Sequence, residues 1–69
     1  MRLYFEAYKE QSPEEVERGV PPQMIRIEIK SEEEAYELKE KYKDQFDKFY
    51  IHYCYNDETP PKPCKLVEI

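Results

Sequence analysis

The stretch Met24–Phe49, MIRIEIKSEEEAYELKEKYKDQFDKF, changes its hydrophobic period from two to near 3.6 with no loop between the two patterns. Ile25, Ile27 and Ile29 alternate with Arg26, Glu28 and Lys30, as in a β-branched strand with one buried and one wet face. Ser31 is then placed as a helix N-cap, and Glu34 three residues on completes an S-x-x-E capping box. Glu32 and Glu33 set negative charge on the positive end of the helix dipole. Ala35, Leu38, Tyr42 and Phe46 follow as one apolar stripe, with Lys39, Lys41 and Lys43 towards the C-terminal half. The stretch predicts a strand running straight into a helix, from about Ser31 to Phe46, that covers one face of a sheet.

On the N-terminal side, Arg2 to Lys9 alternate again, with Leu3, Phe5 and Ala7 on one side and Arg2, Tyr4, Glu6 and Tyr8 on the other. That is a first strand. In the segment QSPEEVERGVPPQ, Ser12 caps, Pro13 takes the first helical position, Glu15 completes a second S-x-x-E box and Gly19 falls where a helix needs its C′ residue. A helix of barely two turns fits, with Val16 and Val20 placed to tuck under the sheet edge; an ordered acidic loop is the near-equal alternative, and Pro21 and Pro22 end the segment either way. On the C-terminal side, Lys48 to Tyr55 form a third strand, with Phe49, Ile51, Tyr53 and Tyr55 facing opposite to Tyr50, His52 and Cys54. The prolines of NDETPPKP turn the chain, and Cys64 to Ile69 return as a short fourth strand.

A strand, helix, strand connection within one sheet makes its two strands parallel. If the first strand slots between strands two and three, antiparallel to both, the order is 2-1-3-4. The expected fold class is therefore α+β: a four-stranded, mainly antiparallel sheet in the sequence β-α(short)-β-α-β-β, with one main helix packed on one face. The second choice places strand two directly beside strand three, with strand one outside. Residues 1–69 form one small domain. The predicted core is Leu3, Phe5, Ala7, Ile25, Ile27, Ile29, Leu38, Tyr42, Phe46, Phe49, Ile51 and Tyr53.

A domain of this length buries only roughly 60% of the surface its unfolded chain exposes, so its stability margin is thin. Charged residues equal hydrophobic ones at 39% each, yet the periodic apolar positions argue for a folded chain. A net charge of −5 opposes nucleic acid and anionic membranes. Charge signs are mixed, so the chain is no electrostatic mimic of DNA. Glutamate and lysine within the first ten residues exclude a signal peptide or a membrane span, and a cytoplasmic protein is expected. Richness in Glu and Lys with one Gly and six prolines hints at a thermophilic source.

One glycine excludes a Gly-rich phosphate loop, and both serines are accounted for as caps. Most carboxylates fall on wet helix positions, Glu37 with Lys41 being an ordinary i, i+4 pair. His52, Cys54 and Cys64 remain. His52 and Cys54 are two apart on a strand and share a face, and a hairpin about the proline loop sets Cys64 opposite Cys54. Free structural thiols rank first and a Cys54–Cys64 disulfide second. Behind them come a metal site on all three residues and a thiol enzyme in which His52 activates Cys54. A structural zinc wants four ligands and no CxxC pair is present, so no metal, cofactor or catalytic residue is assigned.

The second candidate is the sheet face away from the helix, with Tyr4, Tyr8, Met24, Arg26, Tyr50, His52 and Leu66. Amphipathic tyrosine with a wet hydroxyl is the bland account; an aromatic surface awaiting a partner is the functional one. The expected function is a small acidic, non-enzymatic protein-interaction module. Its binding face is Tyr4, Tyr8, Arg26, Tyr50 and His52, and the simplest partner is a second copy, as a homodimer. An inhibitor, an adaptor or a single-stranded nucleic-acid binder using the same face is the first alternative. A thiol-based redox or metal-binding protein on Cys54, Cys64 and His52 is the second.

Overall fold

Alternating side chains, two acidic helix starts and a proline-rich turn produce six elements in the computed structural model, which describes residues Met1–Ile69. They are β1 (Arg2–Tyr8), α1 (Pro13–Glu17), β2 (Met24–Ile29), α2 (Glu32–Tyr42), β3 (Lys48–Cys54) and β4 (Lys65–Glu68). All neighbouring strands are antiparallel, and the order is β2-β1-β3-β4, the first of the two orders expected. β1 is central, with Phe5 opposite Ile27 on one side and Ile51 on the other. No helix is long and apolar enough to cross a membrane.

The core lies between the sheet and α2. Phe5, Ala7, Ile29, Ala35, Phe49 and Ile51 are buried, and Leu3, Ile25, Ile27, Leu38, Tyr42, Phe46, Tyr53 and Ile69 pack around them. Every residue of the predicted core is in this set, and Ala35 and Ile69 join it. Ala35 is fully buried because its small side chain lets the helix approach the sheet closely. Phe5 stacks between Tyr42 and Phe49, with ring centroids 6.3 and 6.1 Å away. Lys39 closes the rim, its Nζ 5.9 Å from the Phe49 centroid. Leu38 is only half-buried. Leu38→Ala is accordingly expected to cost about 2 kcal/mol, the low end for a leucine truncation. Urea unfolding measures it, and an unchanged midpoint would remove the helix stripe from the core.

Three local expectations are corrected. The helix ends at Tyr42, not Phe46: Gln45 and Phe46 N–H both bond the Tyr42 carbonyl, and Asp47 N–H bonds Tyr8 O at 2.9 Å, which draws the chain into β3. Phe46 still reaches the core from this turn, in edge contact with Tyr42 at 6.0 Å. Ser31 has the extended backbone of an N-cap, but its hydroxyl accepts no bond from the first turn, so the charges of Glu32, Glu33 and Glu34 act there without a capping box. Val16 and Val20 do not tuck under the sheet; they are exposed, because a five-residue helix ending at a left-handed Gly19 stays outside it. At Ser12 the N-cap half of the box does form, with Ser12 Oγ accepting from Glu15 N–H at 3.2 Å.

Candidate functional site

The register lays the helix-free face out in rows. Met24, Tyr8 and Lys48 make one, and Arg26, Glu6, Tyr50 and Glu68 the next. Glu28, Tyr4, His52 and Leu66 follow, and Arg2 stands beside Cys54 in the last. The structure thus brings Tyr4, Tyr8, Arg26, Tyr50 and His52 onto one face. No element covers them: α2 packs on the other side, and the molecule is a slab of 43 × 26 × 15 Å. The rings form an ordered layer. Tyr8 meets Tyr50 edge-on at 5.6 Å, Tyr4 tilts against His52 at 5.7 Å, and Arg26 lies over the Tyr4 ring at 5.9 Å.

Beneath that layer is a carboxylate that alternation places on the helix-free side of β1. Glu6 is 1% exposed although it belongs to the helix-free face. Its carboxylate accepts from the Tyr8 hydroxyl and from Nδ1–H of His52, and Arg26 Nε approaches at 3.2 Å. Burial alone would raise the Glu6 pKa, but the hydrogen bonds from Tyr8 and His52 and the charge of Arg26 outweigh it, and the group is held below its ordinary range. Tyr8 is pushed up to about 12, first by its hydrogen bond to Glu6 and then by burial. One signal for this was present in the sequence. The expected order 2-1-3-4 makes β1 central, so its middle outward residue has strands on both sides and Arg26 opposite.

His52 is fixed by this arrangement. A carboxylate only accepts, so Nδ1 carries the proton in the bond to Glu6, and Nε2 is buried with no partner. One row further along, Cys54 and Cys64 are unbridged neighbours with Sγ atoms 3.6 Å apart. Cys54 is half-buried and Cys64 exposed. The Cys64 thiol is held above its ordinary range, first by its hydrogen bond to Cys54 and then by desolvation. A ring nitrogen of His52 and the two sulfurs all lie within 4.8 Å of one another. A shallow concavity beside Cys54 is lined by Arg2, Tyr4, Asn56 and Asp57. Comparison with known protein families, curated proteins and solved structures finds no match for this chain.

Proposed function

We propose that this chain is a small, non-enzymatic interaction module that pairs face to face with a second copy of itself through Tyr4, Tyr8, Arg26, Tyr50 and His52. The observation that carries the reading is the missing layer. Seven of 69 residues are buried, and the radius of gyration is 13.9 Å, against about 11 Å for a compact chain of this length. A two-layer slab with aromatic rings on its uncovered side gains most from a second slab laid on them.

The charges on the face favour a second copy as the occupant. Arg26 and Glu68 stand at opposite ends of the same row. A twofold axis along the strand direction, between β1 and β3, brings Arg26 of each copy over Glu68 of the other, while the tyrosines meet in the middle. Exposed Met24 and Leu66, at opposite edges, add apolar area.

Light scattering over a range of concentrations tests the reading. The expected mass is twice 8.5 kDa for the natural chain. Tyr50→Glu and Leu66→Asp are each expected to return it to the single-chain value. Leu66 is 53% exposed, so its substitution leaves the monomer fold intact. A natural chain that stays monomeric at every concentration overturns the proposal, as does a dimer that both variants leave unchanged.

A further inference from the structure

From the placement of Cys54, Cys64 and His52 we infer a metal site: the two sulfurs and Nε2 bind one thiophilic divalent cation of the zinc type and leave a fourth position open. A closed structural zinc site would need a fourth protein ligand, and no CxxC pair is present. A site that keeps one position for water or an incoming ligand needs only three protein donors, and Cys2His is a known set of that kind.

Three features support the site. The first is spacing. Two thiolates on a tetrahedral zinc with Zn–S bonds of about 2.3 Å stand about 3.8 Å apart, close to the 3.6 Å between the sulfurs here. A disulfide requires about 2.05 Å. The second is the unpartnered Nε2. A buried imidazole nitrogen without a hydrogen bond is uncommon, and its lone pair is free for a cation once Nδ1 holds the proton. Glu6 lies one row to one side of His52 along the strand and the thiols one row to the other, so a ring held by Nδ1 at the carboxylate leaves Nε2 for the sulfurs. The third is Glu6 itself. A carboxylate that accepts from the second nitrogen of a ligating histidine fixes its tautomer and raises its basicity, the usual support behind such a ligand.

This accounts for the buried carboxylate in a way that dimerisation alone does not. The donors come from one chain, so the site does not depend on pairing. Metal binding displaces the two thiol protons to solvent and changes no oxidation state. Arg2, Tyr4, Asn56 and Asp57 line the concavity next to Cys54.

Cobalt(II), a spectroscopic stand-in for zinc, is titrated into the reduced natural chain without oxygen. The expected result is one cobalt per chain, with thiolate-to-metal charge-transfer absorption and the intense visible bands of a four-coordinate ion, lost on adding one equivalent of zinc. Cys64→Ser, at an exposed position, is expected to abolish the charge-transfer absorption while the fold persists. Glu6→Gln is expected to weaken affinity by about 10–100-fold with the stoichiometry unchanged. Cobalt binding is expected unchanged at chain concentrations where light scattering gives the single-chain mass, which separates this inference from the dimer proposal. Absence of the charge-transfer band at stoichiometric cobalt overturns the inference. So does a band that survives Cys64→Ser.

Discussion

Phe5→Ala is expected to lower the unfolding free energy by about 3–5 kcal/mol, the largest effect of any single truncation in the chain. Phe5 is fully buried on the central strand, in ring contact with Tyr42 of α2 and with Phe49. A domain of this length has about 3–10 kcal/mol to lose, so the truncation is expected to remove a large share of the whole stability. Urea titration followed by far-ultraviolet circular dichroism measures the change. Val16→Ala, at an exposed position of α1, is the matched control and should stay within about 0.5 kcal/mol. A Phe5→Ala loss no larger than that of the control would mean that sheet and helix do not share one core.

Glu6→Gln is expected to cost about 2–4 kcal/mol, because it withdraws a charged acceptor from three donors and leaves Arg26 and His52 facing a neutral amide. Its pH dependence separates this from a packing defect. Glu6 has a folded pKa below its unfolded value, so its contribution is present above the ordinary carboxylate range and is lost as pH falls through the depressed folded value. Tyr8 is the mirror case: with a folded pKa of about 12, its contribution is complete below an unfolded value of about 10 and disappears as pH rises from there towards the folded one. The natural chain should therefore lose stability at both ends of the pH range. In Glu6→Gln the acid limb attributable to this carboxylate is gone and the alkaline limb is flattened. Denaturation at a series of pH values measures both. Parallel curves for the two proteins would show that the carboxylate is not coupled to Tyr8 and His52.

The Glu6 carboxylate supports both the sheet face and, through His52, the proposed metal site. If zinc adds stability to the natural chain but not to Cys64→Ser, the three-donor site is coupled to folding. Such coupling would come through His52, which belongs to both the Glu6 network and the thiol cluster.

Elements, faces and strand order were all legible in the sequence, because each follows from a short-range rule. Period-two patterns in β1, β2 and β3 assign their residues to the two faces, and the strand-helix-strand connection leaves few topologies. The proximity of Cys54 and Cys64 followed from the same logic, since a hairpin register is a local property. The places where sequence reading missed are those where a neighbour distant along the chain decides. Ser31 has the right type and spacing for a capping box, yet its hydroxyl bond is absent, while the same pattern at Ser12 forms it. The last turn of the predicted helix is replaced by a loop because Asp47 pairs with Tyr8, 39 residues earlier. Glu6 shows the division most clearly. Alternation assigned it to the helix-free face, which is correct, but carries no information on its burial. Whether a carboxylate on a sheet surface is exposed depends on the side chains standing around it. Arg26, Tyr8, Tyr50 and His52 come from three strands and converge only when the sheet is assembled.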